Sequence, residues 1–246
     1  MNDRTTPPCL AVHGLGGGPY ELQPLVDALR AAGRDVEAVT LPGHDVPGPT
    51  MPASTWPEWV ATVGARLDAL AVGRDRPPVL IGFSTGATVA LYLASRRPVD
   101  RLVLIAPFLA IRGAGRLPFR AATVVKALAR VAPNVPRRRP AVRDRDARRR
   151  LAALDRFRTF NLSAAASALD LIELVRPGLP NVTAPTLVLQ GRLDTVVDPS
   201  RAAWLLERLG SKRKRLVVLP GSDHLAAHDR DLLVAEVVGF LDDPQR

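Results

Sequence analysis

Residues 78–88 read Pro78-Val-Leu-Ile-Gly-Phe-Ser-Thr-Gly-Ala-Thr88. A short apolar run, Val79–Phe83, ends at a serine held between two glycines, and Thr85 then opens a helical stretch. Two readings compete: a tight structural turn, or a nucleophile on a sharp corner. Gly82-Phe-Ser84-Thr-Gly86 alone is only suggestive, but strand before and helix after is the context that a nucleophile elbow requires. Such a turn holds the serine in a strained backbone conformation, and small neighbours are needed where strand and helix crowd each other.

Working outward, the chain alternates strand and helix. Strand-like runs fall at Cys9–His13, Asp35–Thr40, Val79–Phe83, Arg101–Ala106, Thr186–Gln190 and Arg215–Leu219. Four are nearly continuous in Val, Leu or Ile, as strands buried on both faces should be. Asp35–Thr40 and Arg215–Leu219 carry more charge. Helices are expected over Tyr20–Ala32, Trp56–Ala71, Thr85–Ser95, Pro199–Leu209 and Arg230–Leu241. Gly33 suits the C-terminal end of the first, and Thr55-Trp-Pro-Glu58 has capping-box spacing for the second. The pattern predicts an α/β fold with a mainly parallel sheet covered by helices on both faces. Right-handed crossovers then gather the strand C-termini along one edge, where ligands bind.

The stretch from Phe108 to about Asn181 breaks this rhythm. It shows no convincing strand and reads as helices at Ala121–Val131, Asp144–Arg156 and Ser163–Val175. The expectation is one domain over 1–246, with its core at about 1–107 and 182–246. A helical cap at about 108–181 follows the strand ending near Pro107.

Bulk properties narrow the function classes. At 246 residues and 47% hydrophobic content the chain can bury a substantial core. No apolar stretch is long enough to cross a bilayer, and Met1–Pro8 lacks the apolar core of a signal peptide. Cys9 is the single cysteine, so no intrachain disulfide forms; a cytoplasmic protein fits. The net charge is +10, and Arg137–Arg150, RRRPAVRDRDARRR, carries much of it. Weak association with an anionic membrane surface or an acidic substrate is one reading, and a solvated face is the other. Aromatic residues are 4% of the chain and no recognition module accompanies the patch, so nucleic acid is not expected.

A serine hydroxyl needs a base, and the base a carboxylate. Of His13, His44, His224 and His228, His224 follows the last strand in Leu219-Pro-Gly-Ser-Asp-His224 and shares an edge with Ser84. His228 reads as surface or supporting, and His13 as ordering its loop. Among the carboxylates, Asp198 precedes Pro199 as a helix cap would. Asp223 adjoins His224 and should point away from it. Asp194, in Gln190-Gly-Arg-Leu-Asp194, lies at the strand edge and is preferred. The order Ser84, Asp194, His224 goes with this kind of elbow. An oxyanion needs two N–H donors. Thr85 N–H follows the serine, and Leu15 N–H lies in His13-Gly-Leu-Gly-Gly-Gly18 after the first strand. A phosphate-cradling loop is the rival reading there, but the P-loop Lys-Ser/Thr is missing.

These pieces resemble an α/β-hydrolase of the bacterial carboxylesterase and monoacylglycerol lipase type. The matching stretches are HGLGGG at 13–18, LPGHD at 41–45, GFSTGA at 82–87, APTLVLQGRLDTVVDP at 184–199 and GSDH at 221–224. The resemblance implies a Ser84–His224–Asp194 triad, oxyanion donors at Leu15 and Thr85, and a helical cap. The expected activity is hydrolysis of short- to medium-chain acyl esters or monoacylglycerols through an acyl-enzyme. Thioesterase, lysophospholipase or acyltransferase chemistry on the same triad is the alternative. A non-catalytic binding protein is a further one. No cofactor and no metal are implied. Relatives commonly carry methionine and a second glycine around Thr85 and Ala87. Leu109, Ile111, Leu117, Phe119, Phe157, Phe160 and Leu162 are candidates to line the acyl site.

Overall fold

The computed structural model describes residues 5–45, 48–111, 121–137, 144–153, 157–226 and 229–243. Six strands form one parallel sheet: β1 (Cys9–Val12), β2 (Val36–Val39), β3 (Val79–Phe83), β4 (Leu102–Ile105), β7 (Thr186–Gly191) and β8 (Lys214–Leu219). Their order is β2-β1-β3-β4-β7-β8. The chain starts in the sheet at β1, steps outward to β2, then returns to the other side of β1 and builds towards β8. The order therefore reverses between β1 and β3, and that reversal opens a crevice beyond the strand C-termini.

The alternation of side chains along each strand splits the core in two. On one face Leu10, Val12, Leu80, Leu102, Leu104 and Val188 pack against α2 (Trp56–Ala71), α3 (Thr85–Ala94), α6 (Leu162–Val175) and α7 (Ser200–Arg208). On the other, Cys9, Ala11, Val79, Ile81, Val103 and Leu187 pack against α1 (Gln23–Ala31) and α8 (Arg230–Asp242). Residues buried on both sides leave β3 and β4 with no polar position, which is why they read so plainly.

The helix ends follow local chemistry. Gly33 follows α1 with φ +79°, and its N–H closes the last turn on Arg30 O. At α2 the Glu58 carboxylate accepts from both the N–H and the hydroxyl of Thr55, each at 2.7 Å. Pro199, not Asp198, occupies the cap position of α7, which begins one residue later than expected; Asp198 still accepts from Ser200 N–H at 3.1 Å. Among the described residues, no helix is long and apolar enough to cross a membrane.

Between β4 and β7 lie α4 (Ala121–Val131), β5 (Asn134–Pro136), α5 (Arg145–Ala153), β6 (Thr159–Asn161) and α6. The antiparallel pair β5–β6 corrects the expectation of an all-helical segment. Each strand has three residues, with Asn and Pro among them, so no alternation long enough to read exists. The pair is held from outside: Arg158 and Thr159 N–H groups both donate to Pro49 O. Helix α6 contributes Ala164, Ala168, Leu171 and Val175 to the same core as α3, so it is integral to the fold.

Candidate active site

Ser84 sits between β3 and α3 with φ +53° and ψ −118°, a conformation L-residues rarely adopt. The surroundings force it. Ser84 N–H donates to Ile105 O at 2.9 Å, and Ser84 O accepts from Phe108 N–H at 3.1 Å. A Cβ on Gly86 would lie 2.3 Å from Val12 O, and one on Gly82 would lie 2.5 Å from Ala87 Cα. Both positions must be glycine for α3 to approach β1 and β3 this closely. The turn thus projects the serine hydroxyl into the crevice at the reversal between β1 and β3.

His224 reaches the same point from the loop after β8. Its Nε2 lies 3.0 Å from Ser84 Oγ, and its Nδ1 lies 2.8 Å from Asp194 Oδ2. Asp194, on the loop after β7, is fully buried. Its Oδ1 accepts from Val196 and Val197 N–H at 2.8 and 3.0 Å, and Oδ2 also accepts from Gln190 Nε2 at 3.1 Å. Burial pushes this carboxyl up. The hydrogen bond and charge of His224, with the two backbone donors, outweigh it and hold Asp194 below its usual value. An ionised Asp194 requires the proton on Nδ1. Nε2 is then the acceptor facing the Ser84 hydroxyl. Phe83 packs on the imidazole, with ring centroids 5.1 Å apart. The other carboxylates go elsewhere: Asp223 accepts from Leu225 N–H, and Asp229 accepts from Gly221 N–H instead of capping α8. His228 lies outside the described residues.

The loop after β1 is pinned peptide by peptide. Gly14 N–H donates to Glu21 Oε2 at 3.0 Å, and Gly16 N–H donates to His44 Nε2 at 2.8 Å. Leu41 N–H donates to His13 Nε2, so His13 carries its proton on Nδ1 and donates to Gly14 O at 2.8 Å. Burial holds the His13 pKa down at about 3 and lowers that of His44, so both rings are neutral supports. Gly16 adopts φ +71°, turning the chain back towards the crevice. Among the described residues Leu15 N–H makes no backbone hydrogen bond. Thr85 N–H opens α3 and has no intrahelical acceptor. Leu15 and Thr85 line the same cavity as Ser84, one following each strand at the reversal.

The crevice is a cavity of about 370 Å³ that includes Ser84, Leu15, Thr85 and His224. Phe83, Phe108, Ile111, Val125, Phe160 and Leu169 are among its apolar wall residues. Of the apolar residues expected there, Ile111 and Phe160 line it. Leu109 is buried in the core, Phe157 packs beside His44, and Leu162 is not on the wall. Leu117 and Phe119 fall outside the described residues. Two polar wall residues escape a reading of the sequence. Glu21 supports Gly14, and Arg137, the first residue of the arginine-rich segment, donates from Nη1 to Gly16 O. No motif surrounds Glu21. Arg137 is hidden in a run of arginines, of which Arg145 and Arg149 are exposed.

Residues 5–231 match the family described as "Serine aminopeptidase, S33" (Hydrolase_4). A thermostable monoacylglycerol lipase of Bacillus sp. (strain H-257) is 28% identical, with 90% of this chain and 84% of that protein covered. A pimeloyl-[acyl-carrier protein] methyl ester esterase of Neisseria meningitidis serogroup A is 30% identical, with 95% of this chain and 77% of that protein covered. The structure of Paleococcus ferrophilus monoacylglycerol lipase superposes with a TM-score of 0.78 at 22% identity, over 96% of this chain and 97% of that one; it supports the fold alone. Parallel sheet, elbow and sequence relatives agree: the chain belongs to the Hydrolase_4 family, as an α/β-hydrolase of the carboxylesterase and lipase type.

Proposed function

We propose that this protein is a serine esterase that cleaves short- to medium-chain acyl esters, monoacylglycerols among them, through an acyl-enzyme on Ser84. The observation that carries the reading is the hydrogen-bonded line from Ser84 Oγ through His224 to Asp194, opening into an apolar cavity. In the first step Ser84 Oγ attacks the ester carbonyl while His224 Nε2 takes its proton. Leu15 and Thr85 N–H groups receive the oxyanion. His224 then protonates the departing alkoxide, and the acyl group remains on Ser84. Water repeats the sequence, releasing the acid. Asp194 keeps His224 in the required tautomer and stabilises its cationic form.

A volume of about 370 Å³ is at the lower end of ligand cavities, which run from about 300 to 1,000 Å³. That supports short and medium acyl chains over long ones. Within the 108–181 segment, the part before α6 acts as the cap, since Phe108, Ile111, Val125 and Phe160 come from it. The names of the relatives, a monoacylglycerol lipase and a methyl ester esterase, support an ester substrate.

The test is hydrolysis of p-nitrophenyl esters of rising acyl length, with Ser84→Ala as control and a fluorophosphonate probe in parallel. Hydrolysis and labelling that both vanish in the variant, with an optimum below long-chain esters, are expected. Neither hydrolysis nor labelling in the unaltered protein would overturn the reading in favour of a binding role.

A further inference from the structure

Arg137 is the one arginine or lysine on the described wall of the Ser84 cavity. It comes from the chain just after β5, where its own N–H donates to Arg158 O at 2.8 Å. The β5–β6 pair, fixed on Pro49, aims its side chain back at the loop after β1. There Nη1 donates to Gly16 O. Among the described residues this is its single side-chain hydrogen bond, and it forms no ion pair. A guanidinium has five N–H donors in a planar fork. One anchors the side chain, and the rest of the fork stands at the cavity wall. Gly16 O is two peptide units from Leu15 N–H, so the guanidinium lies within roughly 10 Å of the scissile carbonyl's place.

We infer that Arg137 is a specificity-determining residue, reading a second, oxyanionic group on the substrate a few bonds from the ester carbonyl. The preferred substrate class is then a monoester bearing a carboxylate or a phosphate, not a wholly neutral ester. This rests on the ester-hydrolase reading above. The apolar wall accounts for the carbon chain, but a half-buried guanidinium has no role in binding a hydrocarbon. Gly16 O alone needs one donor, which lysine or glutamine would supply. Glu21 is the carboxylate that feels this charge. Burial pushes Glu21 up from its ordinary value, while the Gly14 N–H bond and the Arg137 charge pull it back down.

The experiment compares monomethyl adipate with methyl hexanoate, followed in a pH-stat, for the unaltered protein, Arg137→Lys and Arg137→Gln. A glycerophosphate ester of hexanoic acid forms a second arm, and separates phosphate from carboxylate as the preferred group. The ratio of kcat/KM, charged over neutral, is the readout, so a general loss through Gly16 cancels. The unaltered protein should favour one charged ester. Arg137→Gln should cut the ratio roughly ten- to a hundredfold, mainly in KM, with Arg137→Lys between. A binding readout needs no turnover: a carboxylate-tipped alkylboronic acid should slow fluorophosphonate labelling more than plain pentylboronic acid does. Equal ratios in all three proteins, or a preference for the neutral ester, would overturn the inference and leave the esterase intact. Absence of both labelling and hydrolysis would instead overturn the esterase reading, and this inference with it.

Discussion

Gly86→Ala tests the link between packing and chemistry. The added methyl would meet Val12 O at 2.3 Å and His13 O at 2.5 Å. An ordinary C···O contact is about 3.3 Å, so the overlap is close to 1 Å, and both partners are backbone. Alanine in place of glycine favours a helix by at most about 1 kcal/mol. Overpacking costs about 1–3 kcal/mol, and a rigid backbone partner puts this case at the upper end. The net expectation is a destabilisation of about 1–2 kcal/mol in urea titration. The larger effect is on rate. Relief requires α3 and the end of β1 to part by about 1 Å, which separates Thr85 N–H from Leu15 N–H. A misplacement of that size costs about a hundredfold. Hydrolysis of p-nitrophenyl butyrate should fall by about that factor. Gly64→Ala in α2 is the contrast, because the nearest atoms to its methyl belong to the flexible Arg97 side chain, at 3.2 Å. It should leave rate alone and stability level or slightly higher. Gly86→Ala with stability within 0.5 kcal/mol and activity within about twofold would refute the reasoning.

Three further outcomes follow from the same geometry. Asp194→Asn should stay folded, because its amide oxygen still accepts from Val196 and Val197 N–H, yet lose about 10⁴ in kcat as His224 takes the wrong tautomer; circular dichroism with ester assays checks both. His13, held at about 3 against 6.5, is neutral when folded and protonated in the unfolded chain below pH 6.5. Stability is therefore full above that pH and declines as pH falls towards 3, by at most about 1.4 kcal/mol per unit from this group. Urea midpoints for the unaltered protein and His13→Asn should converge on acidification, and parallel curves would count against a buried neutral ring. The Cys9 thiol, pushed up to about 12 by burial, should ignore Ellman's reagent at pH 8 until the protein is unfolded.

The strands most legible in the chain were those with no exposed face. Val79–Phe83 is identical in sequence reading and structure, and Leu102–Ile105 differs only at its ends. Capping chemistry was legible for the same reason: Thr55 and Glu58 act over three residues, within reach of any local reading. The β5–β6 pair was not, because its partners are held by Pro49, far away in sequence. Asp229 shows the limit of a local rule: it occupies the cap position of α8, but the nearby Gly221 N–H takes its carboxylate.

By itself the sequence determined the α/β class, the elbow at Ser84, and the candidates Asp194 and His224, because apolar runs, glycine spacing and position after a strand are local properties. Tertiary structure alone decided that Nε2 and Nδ1 of one imidazole bridge the serine and the carboxylate, 140 and 30 residues away along the chain. It alone decided that Glu21 supports Gly14, and that one arginine of a basic run turns inward to Gly16. Those facts depend on which side chains a crossover brings within 3 Å, and contact across such separations is set by packing, on which the order of residues along the chain is silent.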